Sequence, residues 1–166
     1  MAATAVKHPP PKVEVDLMFL LGQASHALET EMTAALQALG ISPRSHCVLS
    51  KALGGELTQG QVADLCALDK TTMVVTMDEL EKAGLAERRP SGTDRRARII
   101  AVTKAGERSV AEANAIVARI YAEVLGALPA GQRDAFVGGL AQLVGGRLST
   151  PAKCERPVRR RAVRVS

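Results

Sequence analysis

The sequence predicts a mainly α fold with a small β-wing (α+β), a winged helix-turn-helix set between long N- and C-terminal helices. Three observations carry this. Residues with helix-capping side chains, Asp16, Thr58 and Asp69, each stand at the head of an apolar stretch of helical period. Residues 85–104, LAERRPSGTDRRARIIAVTK, place strand-forming residues on either side of a Pro-Ser-Gly-Thr-Asp tip and so read as a β-hairpin. Aromatic residues make up only 2% of the chain and Trp is absent, which leaves the packing to Ala, Leu, Val and Gly and disfavours a β-sandwich or barrel.

From Asp16 the apolar positions Leu17, Leu21, Ala24, Leu28, Met32, Ala35 and Leu39 step by three or four, and Gly40 offers a left-handed stop. Pro43 can open a second helix, filled by Cys47, Val48, Leu49, Ala52 and Leu53 up to Gly54-Gly55. Thr58-Gln59-Gly60-Gln61 has the form of a capping box, heading a short helix with Val62, Ala63, Leu65 and Cys66. A turn at Ala67-Leu68 leads to Asp69, the expected N-cap of a helix running to about Lys82, and Gly84 ends it. After the hairpin, Thr103 can cap a long helix carrying Val110, Ala113, Val117, Ile120, Val124 and Ala127, which Pro129 ends. Phe136, Val137, Leu140, Leu143, Val144 and Leu148 form a last apolar stripe.

The expected organisation is a leader over 1–14 containing His8-Pro9-Pro10-Pro11, one domain over 15–148, and a basic tail over 149–166. Within the domain the winged helix-turn-helix takes about 43–104, and the helices of about 15–40 and 104–148 carry more apolar face than it needs. That surplus fits either a larger single core or a homodimer seam, and we read it as the seam.

The formal net charge is +5 and is unevenly placed. Residues 1–150 hold 16 Lys/Arg and 16 Asp/Glu, whereas the last sixteen hold six of the former and one of the latter. That tail reads as disordered and drawn to polyanions, or as a solubilising extension. No stretch approaches the roughly 20 apolar residues of a membrane span, and the N-terminus has no apolar signal core, so a cytoplasmic, nucleoid-associated protein with no membrane partner is expected. Cys47, Cys66 and Cys154 lack metal-ligand spacing. Cys66 reads as a packed thiol, and Cys154, among cations, as a redox candidate. No catalytic constellation, metal site or cofactor motif is found, and none is expected.

The hairpin carries Arg88, Arg89, Arg95, Arg96, Arg98 and Lys104 against Asp94 alone. Guanidinium groups fit phosphate oxygens bidentately and suit a narrow minor groove, although a solvated basic turn has the same composition. Placing residues 69–82 at 100° per residue sets Met73, Met77 and Leu80 inward. Thr71, Val75 and Asp78 then face outward, with Thr72 and Glu79 on one flank and Lys70 on the other. Thr can bond base edges or phosphates, and an exposed Val can pack on a thymine methyl.

The run LTQGQVADLCALDKTTMVVTMDELEKAGLAERRPSGTDRRARIIAVTKAGE resembles the DNA-binding core of the MarR (multiple antibiotic resistance regulator) family, through Leu80-Glu81-Lys82-Ala83-Gly84-Leu85, Asp94-Arg95-Arg96-Ala97-Arg98 and Val102-Thr103-Lys104-Ala105-Gly106. The resemblance implies a homodimeric transcriptional repressor on a palindromic double-stranded operator, relieved by a small-molecule effector. The implied DNA-binding residues are Lys70, Thr71, Thr72, Val75, Arg88, Arg89, Arg95, Arg96 and Arg98. His26 and His46 lie where the family's ligand crevice would be. Val75 stands where members often have Arg. The peroxide-sensing branch's N-terminal Cys and the urate-responsive branch's Trp have no counterpart. The competing classes are a winged-helix module binding an acidic protein and a cysteine-based redox regulator.

Overall fold

A computed structural model of the chain describes residues 16–92 and 97–150. The leader, most of the basic tail with Cys154, and the wing-tip residues Arg95 and Arg96 lie outside the described residues. The element order is α1 (Leu17–Leu36), α2 (Pro43–Ala52), α3 (Gln59–Leu65), α4 (Lys70–Lys82), β1 (Ala86–Pro90), β2 (Arg98–Val102), α5 (Lys104–Gly126) and α6 (Ala130–Gly145). It is mostly helical with a two-stranded antiparallel wing, as the sequence predicts.

Local chemistry sets most helix starts. The Asp16 carboxylate accepts from the Phe19 N–H at 2.9 Å. Ser42 caps α2 through the Ser45 N–H at 3.0 Å, with Pro43 at the first helical position. At α3 the box is complete: the Gln61 N–H donates to Thr58 Oγ1, and the Thr58 N–H donates to Gln61 Oε1 at 2.8 Å. Thr103 Oγ1 accepts from the Gly106 N–H at 3.1 Å and donates to the Gly84 carbonyl at 2.8 Å, so one hydroxyl joins the start of α5 to the end of α4. A single 3₁₀ turn, Gln37–Leu39, tightens the end of α1 before Gly40 turns left-handed at φ 66°.

The chain gathers into two compact units, one ending at Ile120 and one beginning at Tyr121, so the boundary falls inside α5. The first unit holds two buried clusters. Val48, Leu49, Val62, Met73, Met77, Leu80, Ala86, Ile100 and Val110 form the core of the winged helix. Met32, Leu36, Ile41, Ala113, Val117 and Ile120 pack the second half of α1 against α5. The first turn of α1 is different: Leu17, Met18, Phe19 and Leu20 are all exposed. The wing pairs Ala86 with Val102 through Pro90 with Arg98. It also gains a short third edge that the sequence does not predict. Thr58 bridges Ile99, and the Ile100 N–H donates to the Leu57 carbonyl at 3.1 Å, anchoring the base of the wing on the segment before α3.

In the second unit no residue of α6 is buried, and Phe136, Val137, Leu143, Val144 and Leu148 stand exposed. The Arg133 guanidinium donates to the carbonyls of Leu128 at 3.1 Å and Gly126 at 3.2 Å, satisfying groups that the end of α5 leaves open.

Candidate nucleic-acid interface

Helix α4 is amphipathic in the sense predicted. Met73, Met77 and Leu80 are almost completely buried, and Thr71, Val75 and Asp78 are exposed. Two residues depart from the simple wheel. Thr76 is buried, its hydroxyl donating to the Thr72 carbonyl at 2.8 Å, and Val74 is as open as Val75, so the outward face carries two adjacent apolar side chains.

The N-terminus of α4 has a fixed electrostatic arrangement. Asp69 accepts from the Thr72 N–H at 2.9 Å and from the Thr72 hydroxyl at 2.8 Å. These bonds, the backbone one foremost, hold its carboxyl below the usual carboxylate range. The Thr72 hydroxyl proton is therefore committed within the chain, which sets Thr72 apart from the freely directed contact expected of it. Lys70 and Thr71, in the same turn, present their side chains outward.

Arg88 takes on a role that the sequence did not reveal. Its Nη2 meets Asp78 at 2.8 Å and the Val74 carbonyl at 3.1 Å, its Nη1 pairs with Glu81, and its Nε donates to Gln59 at 3.0 Å. Its backbone N–H also donates to Glu81, at 2.7 Å. One planar guanidinium thus ties strand β1 to two turns of α4 and to the first turn of α3. With five donors in fixed directions, an Arg can do this where a Lys cannot. Instead of pointing outward with the other basic residues, Arg88 sets the angle between wing and helix. The reason is proximity of two carboxylates one helical turn apart, Asp78 and Glu81, on the flank of α4 that faces the strand. Arg89, by contrast, is exposed and meets its neighbour Glu87 at 3.1 Å, a surface pair of little energetic weight. Arg98 is exposed on β2 at the opposite shoulder.

The two histidines do not share a site. His26 lines an open groove of about 750 Å3 with Glu29, Thr30, Thr33 and Gln37. His46 does not line it. It is buried in α2, where its Nε2 lies 2.8 Å from Asn114 Oδ1 and 3.3 Å from Ser50 Oγ. The physical reason is helix phase, since Ser45, His46, Val48 and Leu49 fall on the inward side of α2 and only a polar partner on α5 makes an imidazole tolerable there. Gly106 is equally constrained. A Cβ there would lie 2.1 Å from the Leu85 carbonyl oxygen and 2.7 Å from Val102 Cγ1, so the start of α5 approaches the wing strands as only glycine allows. Among the described residues no group of three or more His, Cys, Asp or Glu side chains is placed to hold a metal ion.

Three short helices, the third exposed along one side and followed by a basic antiparallel hairpin, define a winged helix-turn-helix protein. Residues 39–97 match the profile of the MarR family. Solved structures agree over most of the chain. A MarR-family transcriptional regulator from Rhodococcus sp. RHA1 superposes with a TM-score of 0.73 at 27% identity, over 81% of this chain and 96% of that one. CouR from Rhodococcus jostii RHA1, bound to p-coumaroyl-CoA, gives 0.71 at 27% identity over 88% of this chain and 100% of its own. The transcriptional repressor CouR bound to a 23-mer DNA duplex gives 0.71 at 25% identity, over 77% and 92%.

Proposed function

We propose that this protein is a dimeric, sequence-specific DNA-binding transcriptional regulator, a repressor released by a small ligand. The observation that carries the reading is the outward face of α4. Thr71, Val74 and Val75 lie open beside a basic hairpin, and Arg88 holds the two elements at one angle. A groove-reading helix needs small side chains that allow close approach, and a wing needs cations for the flanking backbone. In this assignment Lys70, Thr71, Val75, Arg89, Arg95, Arg96 and Arg98 touch DNA, while Thr72 and Arg88 position them. The DNA-bound CouR structure supports the docking mode and its coenzyme A thioester complex supports an effector, for which the groove beside His26 is the candidate site. The unburied α6 supplies apolar surface for a two-fold seam. No described helix is long and apolar enough to cross a membrane, in keeping with a place beside the nucleoid in the cytoplasm.

Selection of bound sites from a random duplex pool, followed by titration across salt, tests the reading. A palindrome with fixed half-site spacing and a log-log salt slope of several units is expected. Replacing Arg95, Arg96 and Arg98 together by Ala should flatten that slope by roughly one unit for each arginine that meets a phosphate. A chain that recovers no duplex but binds acidic proteins would instead be a protein-docking winged helix.

A further inference from the structure

Cys47 on α2 and Cys66 at the end of α3 are nineteen positions apart, yet their sulfurs lie 3.3 Å from each other, joined by a thiol hydrogen bond. A disulfide needs about 2.05 Å between sulfurs, so roughly 1.3 Å of approach separates this pair from a covalent link. Both side chains are half-buried, and both line the same open cleft of about 470 Å3, together with Glu29, Met32 and Arg44. The cleft is open to solvent, and Arg44 in its lining is a cation for a peptide carboxylate.

We propose that Cys47 and Cys66 form a dithiol modification site that reacts with low-molecular-weight disulfides of the glutathione type and closes to an intrachain disulfide. The roles of the two sulfurs differ. Burial foremost, and the hydrogen bond with Cys47, push the Cys66 thiol up to about 12, so Cys66 stays protonated at neutral pH, and we assign the attack to Cys47, which lines the same open cleft. The Cys47 thiolate displaces one glutathione thiolate and forms a mixed disulfide. The Cys66 sulfur then attacks Cys47 Sγ, and the second glutathione leaves with the Cys66 proton. Two protein thiols are oxidised and one small disulfide is reduced to two thiols. The link would fix the turn Cys66-Ala67-Leu68, which delivers the chain to the Asp69 cap of α4 and in which Ala67 is left-handed at φ 52°. This site goes beyond the regulatory reading above, and its chemistry does not depend on that reading.

The test uses the full chain with Cys154→Ser, equilibrated with oxidised glutathione, alkylated and weighed by mass spectrometry under non-reducing conditions. The expected product is two hydrogens lighter, with Cys47 and Cys66 peptides cross-linked and no glutathione retained. With Cys66→Ser added, the reaction should stop at a stable glutathione adduct on Cys47. With Cys47→Ser added, the native chain should gain no adduct, while urea-unfolded chain gains one at Cys66. A parent chain that keeps glutathione without cross-linking, or reacts first at Cys66, or links only between chains, would overturn the proposal. These masses are read whether or not the chain binds DNA.

Discussion

Helices α4 and α6 differ by only three residues in length, and α6 is the more apolar of the two, yet α4 buries four side chains and α6 none. Apolar content alone does not explain that contrast, because the more apolar helix is the one that buries nothing. What differs is the supply of partners within the chain. Helix α4 follows α3 after a short turn and meets α2 and the strands, so its apolar face is covered as soon as the winged helix closes. Helix α6 buries none of its residues, and Phe136, Val137, Leu143 and Val144 stay exposed. An apolar stripe therefore predicts burial, and topology decides whether the cover comes from the same chain.

The strongest way to break the comparison is to charge α6. Leu140→Asp or Phe136→Asp would be nearly neutral in a lone chain. If α6 forms the seam, each strands an unpaired carboxylate at roughly 3–5 kcal/mol. Sedimentation should then show monomers at concentrations where the parent is dimeric, with the circular dichroism of the winged helix retained. A monomeric parent would remove the seam.

Gly106→Ala probes the self-sufficient side. A methyl group 2.1 Å from the Leu85 carbonyl oxygen forces the start of α5 away from the wing, and overpacking of this kind costs about 2–3 kcal/mol. A lowered urea midpoint at unchanged m-value is the expected result.

Arg88→Lys sharpens the picture within the interface. One ammonium cannot replace a fork that bridges Asp78, Glu81, Gln59 and the Val74 carbonyl. Discounting for its partial exposure, we expect a loss on the order of 1–2 kcal/mol in stability. Operator affinity should fall in proportion to sequence specificity, with the salt slope nearly intact, whereas a phosphate contact would do the reverse. The smallest effect is at Val75→Ala, about 1 kcal/mol of selectivity at one symmetric pair of positions. Replacing the thymine there by uracil should reproduce it.

The helix starts are legible in the sequence because capping is local: Asp16, Thr58 and Asp69 bond to N–H groups three residues ahead, and no distant residue decides it. The inward face of α4 is legible for the same reason. The ion pairs of Arg88 are hidden in the sequence because its charge is visible there, while its carboxylate partners, seven and ten positions earlier, become partners only when the strand folds beside the helix. A pair of acids spaced three apart, Asp78 and Glu81, is the available signal. His46 has the look of a ligand candidate until α5 supplies Asn114, sixty-eight positions away. The Thr58–Ile99 edge leaves no trace because two residues carry no alternation. The Cys47–Cys66 approach is hidden behind a spacing that matches no metal or redox motif.

The bond from His46 to Asn114, with Val110 seated in the winged-helix core, bears on how the protein is made. A ribosome releases α2, α3, α4 and the wing before it releases Val110 or Asn114. The winged-helix module therefore cannot finish folding when its own motif is complete. It waits for the second turn and more of α5, and contacts between segments so far apart in sequence form late. A fragment cut after Lys104 would leave a buried imidazole without its amide and a gap in the core where Val110 belongs. The wing, last of the motif to emerge, would then be held in place by a helix synthesised after it.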